Sequence, residues 1–133
     1  MFEISTDLQR VNHYIADVAK HAVRLGERPP RPAWRAVKEA ADLTELSLRR
    51  AVESYRHRDP EQAALVLADE DRWDVLYSHG IKALQATLRA DPEGVAVATE
   101  LLFVLTSLQR VGEHAVSIAW HTDDMLGSRR TEV

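Results

Sequence analysis

Glu70 and Asp74 are two carboxylates four residues apart in a segment with an apolar helical repeat. At about 100° per residue they point to the same side as Val66, Trp73 and Ile81, which places both on the apolar face of a helix. Burying an unpaired charge is costly. We therefore expect these carboxylates to meet a cation, a basic side chain from a neighbouring helix, or water at an open end of the structure.

Glu113 is a third candidate ligand, and Gln109 lies one turn before it. Both lie at the edge of the apolar face of the last predicted helix. A residue at such an edge is normally solvated, and the alternative is a ligand or hydrogen-bond role towards another helix. Together, Glu70, Asp74 and Glu113 are the candidate metal ligands of the chain.

Histidines are a weaker signal. They point away from the centres of the apolar stripes, and the chain has no Glu-x-x-His or His-x-x-x-His spacing that would direct them to one metal. We expect them at the surface; those that lie on the first and last predicted helices are His13, His21, His114 and His121.

Catalysis has little support in the sequence. A di-iron carboxylate bundle needs Glu-x-x-His on two helices, and no serine has an evident base beside it. There is no glycine-rich loop for phosphates and no cysteine for a thiolate zinc site, a disulfide or a nucleophile. The chain is therefore predicted not to be an enzyme.

Composition excludes several further classes of protein. The net charge of −4 gives no general attraction to nucleic acid, and the longest apolar runs, such as 101–105, are far too short to span a membrane. No signal sequence is evident at the N-terminus. We expect a cytoplasmic protein with no nucleic-acid partner and no membrane insertion.

The elements that carry these residues are predicted to be helices. Only five glycines and five prolines occur in 133 residues, and proline or glycine interrupts the chain at 26–32, at Asp59-Pro60, at Asp91-Pro92 and at Gly127. Apolar residues recur every three or four positions between these breaks. The prediction is an all-α, antiparallel up-down four-helix bundle in one domain, 1–126, with helices at about 3–26, 33–58, 60–89 and 92–126 and a flexible tail at 127–133.

An internal repeat relates the first and last helices. Residues 8–11 and 108–111 share the sequence Leu-Gln-Arg-Val, and the agreement continues in the same frame to His21 and His121. The two segments are one hundred residues apart, and at this spacing Met1 corresponds to Leu101, which lies well inside the last predicted helix. The first copy therefore lacks its beginning.

These segments resemble the PhoU domain family, the phosphate-uptake regulators of bacteria and archaea. That family has two three-helix repeats, and the third helix of each carries a pattern that residues 108–119 follow closely and residues 8–19 follow loosely. Residues 59–77 resemble the family's acidic-pair helix. The resemblance implies a truncated arrangement, with the last helix of repeat one followed by all of repeat two.

The family's acidic pairs are associated with binding of iron, zinc or similar cations. Here Gln9 and Gln109 stand where glutamate is usual, and His13 and Glu113 stand where aspartate is usual. Because an amide brings no negative charge and is a poor ligand for a hard cation, full multinuclear clusters are not expected.

The resemblance implies a non-catalytic regulator of phosphate uptake or signalling that acts through contacts with a phosphate transporter or sensor kinase. Two alternatives remain: a metal-binding bundle that uses Glu70 and Asp74, and a purely structural oligomerisation module. We also predict a homodimer formed through the first helix, because the apolar stripe that includes Leu8, Val11 and Ile15 has lost the helices that cover it in the six-helix family.

Overall fold

The computed structural model describes residues 2–26 and 31–131, which are almost entirely helical. No strand occurs in these ranges, so the predicted all-α class is confirmed. A short 3-10 helix at Pro92–Gly94 precedes the last helix. The α-helices are α1 (Phe2–Leu25), α2 (Arg31–His57), α3 (Pro60–Ala68), α4 (Glu70–Ala90) and α5 (Val95–Thr131).

The predicted breaks mark real helix boundaries. α1 ends before Gly26, whose φ of +65° is the left-handed conformation that favours glycine after a helix. The Asp59 carboxylate accepts hydrogen bonds from the backbone N–H groups of Glu61 (3.0 Å) and Gln62 (3.4 Å), which caps the start of α3. Asp91 accepts in the same way from the N–H of Glu93 at 3.1 Å. Both Asp-Pro signals therefore start helical turns.

The predicted continuous helix at 60–89 is wrong in one respect. The chain breaks at Asp69, which ends α3 and immediately precedes α4. Its backbone N–H reaches carbonyls of the preceding turn, while its own carbonyl accepts from the N–H of Trp73 at 3.0 Å. No proline or glycine marks this position, so periodicity alone joined the two helices.

The last helix extends further than predicted. α5 continues through Gly127 to Thr131, so the expected end at 126 and the tail assigned to 127–131 are wrong. Gly127 keeps a helical backbone rather than the positive φ of a helix-ending glycine, and no proline follows it. Residues 132–133 lie outside the described residues.

α5 is the central element of the bundle. It packs against each of the other four α-helices, and α2 also packs against α3 and α4. The backbone of α1 lies beside that of α5 alone. In the described chain, α2, the α3–α4 pair and α5 therefore pack around one another as a helical bundle, and α1 lies along α5.

Two apolar clusters form the core along α5. The first contains Leu101 and Leu105 of α5, Val37 of α2, and Trp73 and Leu84 of α4. The second lies nearer the C-terminal half of α5, where small residues allow the helices to approach closely. Its buried members are Ile4, Ala51, Ala63, Val66, Ala115, Ile118 and Ala119.

The segment Pro92–Gly127 has the length and composition of a membrane-spanning helix, with a mean hydropathy of 1.4 over its most apolar window. It is also the helix against which every other α-helix packs. This packing buries 39% of the apolar window, so it accounts for part of the apolar character of the segment.

Candidate functional site

A partly open cavity of about 130 Å³ lies where the two apolar clusters meet. The break between α3 and α4 forms one wall, and α2 and α5 supply the others. Carboxylates line its rim, and apolar and small residues form the rest. The lining residues are Ser47, Val66, Asp69, Glu70, Trp73, Asp74, Gln109, Gly112, Glu113 and Val116.

All three predicted ligands line this cavity, but Glu70 and Asp74 are not on the buried face. Both residues are exposed, and neither is hydrogen-bonded or ion-paired to another described residue. The expectation that they lie on the apolar face is therefore wrong. α4 buries Trp73, Gly80 and Leu84, and these residues set the direction that faces the core. Glu70 and Asp74 lie to one side of that direction, in the first two turns of α4 at the open rim of the cavity, so they remain exposed.

Asp69 has the ion pair that was considered for its neighbours. Its carboxylate lies 3.4 Å from a guanidinium nitrogen of Arg50 on α2, and both side chains are largely shielded from solvent. The break in the helix turns this carboxylate towards α2. Periodicity does not single out Asp69, because an unbroken helix would not place it at a junction.

Glu113 and Gln109 reach the cavity from α5, one turn apart. Gln109 is half-buried, whereas Glu113 is exposed and lies 3.2 Å from a guanidinium nitrogen of Arg110. Glu113 is therefore solvated, as expected for this edge, and its ion pair is with a residue of its own helix; a ligand role towards another helix stays a prediction. An exposed pair of this kind contributes little to stability.

The cavity contains several carboxylates but no preformed metal centre. Among residues 2–26 and 31–131, no group of three or more His, Asp or Glu side chains converges closely enough to hold a metal ion. Two of the rim carboxylates, Asp69 and Glu113, already have arginine partners. The described side chains therefore do not fit a multinuclear iron or zinc site of the kind associated with the family.

Trp73 forms a buried wall of the cavity. Its indole Nε1 donates a hydrogen bond to Thr44 Oγ1 at 2.8 Å, and Thr44 donates to the carbonyl of Ala40 at 2.7 Å. The indole lies against Gly112 of α5, where an added Cβ would come within 2.9 Å of Nε1. The absence of a side chain at Gly112 therefore creates the space that the indole occupies.

A second polar cluster lies between α1 and α5. The buried carboxylate of Asp7 accepts a hydrogen bond from Ser117 Oγ at 2.8 Å and lies 2.7 Å from His114 Nδ1. The ring of Tyr14 stacks on that of His114. Each hydrogen-bonding partner of Asp7 belongs to α5, so the cluster fixes the position of α1 along that helix.

The other end of α1 has a matching contact. His21 Nδ1 lies within 2.5 Å of a Glu100 carboxylate oxygen, and the imidazole stacks on Phe103. A guanidinium nitrogen of Arg24 lies 3.9 Å from the same carboxylate. The start of α1 contacts residues 114 and 117 of α5, whereas the end of α1 contacts Glu100, which comes earlier in α5. The two helices are therefore antiparallel.

These pairs correct the expectation that the histidines lie at the surface. His21 and His114 are largely shielded between two helices, although His13 is exposed as predicted. Asp7 was overlooked entirely. One signal was available, since Ile4, Asp7 and residues at 11, 14 and 18 form an unbroken three-four repeat. A charged residue within such a repeat indicates a buried polar contact.

Comparison with known proteins identifies relatives. The PhoU domain matches residues 37–121, which run from α2 to α5. The chain is similar to a phosphate-specific transport system accessory protein PhoU homolog of Xylella fastidiosa (strain 9a5c), with 29% identity over 116 residues. That match covers 87% of this chain and 49% of the relative. No solved structure matches the chain significantly.

Two further relatives carry the same description. The homolog of Rhizobium meliloti (strain 1021) is 29% identical over 117 residues, which is 87% of this chain and 49% of the relative. Homolog 1 of Methanothermobacter thermautotrophicus is 27% identical over 125 residues, which is 93% of this chain and 57% of the relative. The chain thus spans about half the length of the relatives it matches.

Proposed function

Because the chain belongs to the PhoU domain family, we propose that it acts as a cytoplasmic accessory regulator of phosphate uptake. It would do so without catalysis, through contacts with protein components of a phosphate transporter or with a sensor kinase. The observation that carries this proposal is the domain match over residues 37–121, which covers most of α2, all of α3 and α4, and the part of α5 that packs on them.

The geometry supports a binding role over a catalytic one. The cavity offers carboxylates, one amide and an indole wall, and no pair of side chains at its rim forms a nucleophile with an adjacent base. The same groups offer hydrogen-bond acceptors and negative charge to a basic or cationic partner. Relatives of the chain are named for an accessory role in transport rather than for a reaction.

Cation binding is the second candidate function, and the shared cavity favours it. Glu70, Asp74 and Glu113 reach one space from α4 and α5, and the first two have no partner among the described residues. Their exposed side chains would have to rotate towards one another to share an ion. Such a site would be mononuclear and exchangeable rather than a preformed cluster.

Phosphate uptake in cells that lack the encoding gene tests the regulatory proposal. Uptake of radiolabelled phosphate should lose its dependence on external phosphate in the deletion strain and regain it when the wild-type chain is restored. Affinity capture at low and high phosphate, with components of the phosphate transporter and sensor kinase as the proteins sought, tests the contact. Unchanged uptake together with capture of neither component would refute the proposal.

Metal analysis of protein purified without a metal-affinity tag tests the cation role. Iron or zinc bound to the wild-type chain and lost in a variant with Glu70→Gln and Asp74→Asn would support it. A matched control replaces Asp71 and Glu93, which are exposed carboxylates outside the cavity. Absence of bound metal after loading with either ion would refute this part of the proposal and leave the accessory role untouched.

A further inference from the structure

Ser47 places a buried hydroxyl at the cavity between α2, the α3–α4 junction and α5. The residue is only 4% exposed and lines the cavity, and its side chain forms no hydrogen bond with another described residue. A buried hydroxyl without a protein partner costs free energy, so such groups usually bind water or a ligand. Ser47 therefore marks a position on the inner wall of the cavity where a ligand can form a hydrogen bond.

The charge of the cavity indicates that this ligand is a cation. Four carboxylates line the cavity, and no lysine, arginine or histidine is among the described residues that line it. Two of the carboxylates pair with arginines of α2 and α5 that lie outside the lining. The carboxylates of Glu70 and Asp74 remain without a partner in the described part of the chain. The cavity therefore has an excess of negative charge that attracts a positively charged group.

The positions of the acceptors favour a guanidinium over a metal ion. Oxygen atoms come from α2, from the start of α4 and from α5, on different walls of the space. A metal ion needs ligands that converge on one point, and no group of three His, Asp or Glu side chains does so in the ranges that the structure describes. A guanidinium spreads five N–H donors over a plane and is weakly hydrated, so it can reach acceptors on separate walls.

A guanidinium group already binds at the rim of this cavity. Arg50 of α2 lies 3.4 Å from the Asp69 carboxylate, and both side chains are largely shielded from solvent. Glu70, the next residue along the chain, and Asp74 are left for a guanidinium group of another molecule. Trp73 is 7% exposed and lines the inner part of the cavity, where charge pairing is stronger than in open water.

The size of the cavity points to a side chain of another protein as the source of the guanidinium. Its volume is about 130 Å³, whereas sites for whole small molecules enclose about 300–1,000 Å³. The end of one arginine side chain needs less space, because the rest of its protein stays outside the mouth. No described residue of α1 lines the cavity, so the contact is separate from the homodimer expected through the first helix. That homodimer stays a prediction, although Val11, which was expected in its contact, is buried against α5.

We propose that the cavity is a recognition site for an arginine side chain that a partner protein presents. The guanidinium pairs with Glu70 and Asp74 at the rim, and Ser47 Oγ accepts a hydrogen bond from one of its N–H groups at the inner wall. This inference rests on the proposed function for the existence of a protein partner, and it adds the chemistry by which that partner is recognised. Binding of a guanidinium to the cavity can be measured on the purified chain alone.

Titration of the full chain with N-acetyl-arginine amide in metal-free buffer, followed by NMR of the tryptophan indole N–H groups, tests the site. Trp73 lines the cavity, whereas Trp34 and Trp120 are not among the described residues that line it. The Trp73 signal should therefore shift most, with a dissociation constant of about 1–10 mM for so small a probe. N-acetyl-citrulline amide, which is neutral and similar in shape, should bind at least about tenfold more weakly.

Variants of the chain locate the binding. Glu70→Gln with Asp74→Asn should raise the dissociation constant at least about tenfold, and Ser47→Ala should raise it about threefold or more, with little change in Tm. The matched control is Asp71→Asn with Glu93→Gln, which removes the same charge outside the cavity and should leave the dissociation constant unchanged. Equal weakening in the control would show a general attraction of cations to an acidic chain and would overturn the site.

Two further results would overturn guanidinium recognition. One is a Trp73 signal that does not move up to about 100 mM of the arginine probe. The other is binding of N-acetyl-lysine amide or of the citrulline probe as tight as that of the arginine probe. Either result stands whether or not the chain regulates phosphate uptake, so failure of the site is distinguishable from failure of the proposed function.

Capture of phosphate transporter components or of the sensor kinase tests the source of the arginine. The component captured by the wild-type chain should be retained by the control variant and lost by the variant with Glu70→Gln and Asp74→Asn. The arginine probe, but not the citrulline probe, should release it. A captured component that the cavity variant retains in full would overturn the partner assigned to the cavity. Uptake that does not depend on the chain, together with a shifted Trp73 signal, would refute the proposed function and its partner but not the guanidinium site.

Discussion

Replacing Gly112 with alanine should destabilise the bundle, although alanine is the better helix former. The new Cβ would lie 2.9 Å from Trp73 Nε1 and 3.2 Å from the ring carbons Cδ1 and Cε2. Ordinary contact therefore requires the indole to move by at least about 0.5 Å. Trp73 is buried and its Nε1 donates to Thr44 Oγ1, so the movement strains that hydrogen bond.

The change in the free energy of unfolding caused by Gly112→Ala is the sum of opposing contributions. Alanine gains up to about 1 kcal/mol over glycine in a helix interior. Overpacking a buried site costs about 1–3 kcal/mol, and a weakened buried hydrogen bond costs about 1 kcal/mol more. The expected net loss in the free energy of unfolding is about 1–3 kcal/mol, which corresponds to a fall in Tm of roughly 3–10 °C for a chain of this length.

Urea denaturation followed by tryptophan fluorescence measures this change. Trp73 is buried, whereas Trp34 and Trp120 are about half exposed, so most of the change on unfolding reports the cavity wall. Gly127→Ala is the matched control, because nothing lies within 4 Å of a Cβ added there. That variant should be unchanged or more stable by up to about 1 kcal/mol.

The double replacement of Gly112 by alanine and Trp73 by phenylalanine separates the clash from other effects. Phenylalanine lacks the indole nitrogen and the five-membered ring that approach the new Cβ. The cost of Gly112→Ala should therefore be smaller in the phenylalanine background than in the wild type. Equal stabilisation by Gly112→Ala and Gly127→Ala would refute the reasoning, because it would show that no side chain crowds Gly112.

Asp7→Asn should lower the free energy of unfolding by about 1–3 kcal/mol, because one carboxylate oxygen that faces His114 or Ser117 becomes an amide donor. Urea denaturation measures this change, and an unchanged midpoint would contradict the contact between α1 and α5. Asp59→Ala should cost about 1 kcal/mol, measured by thermal melting, through loss of the α3 cap. Glu70→Gln with Asp74→Asn should change stability by less than about 0.5 kcal/mol in metal-free buffer, since both residues are exposed. A larger loss of stability in this double variant would contradict the exposed, unpaired state of the two carboxylates.

The local signals in the sequence were sufficient for the helical class and most boundaries. Gly26 and the two Asp-Pro pairs at 59–60 and 91–92 act through backbone conformation and capping within a few residues, so their effect does not depend on the rest of the fold. The break at Asp69 was not predicted. It leaves the hydrophobic repeat almost in phase and has no proline or glycine to mark it.

The residue pattern also predicts that α1 and α5 are copies of one element, and it singles out Glu70, Asp74 and Glu113 as candidates for one site. How these residues are used depends on the packing of the helices against one another. A helical repeat defines which side chains share a face, but it contains no information on which helix covers that face. The antiparallel packing of α1 on α5 pairs Asp7 with His114. The packing of α4 on α5 buries Trp73 against Gly112 and leaves Glu70 and Asp74 exposed. Both outcomes depend on contacts between residues that are distant in the chain.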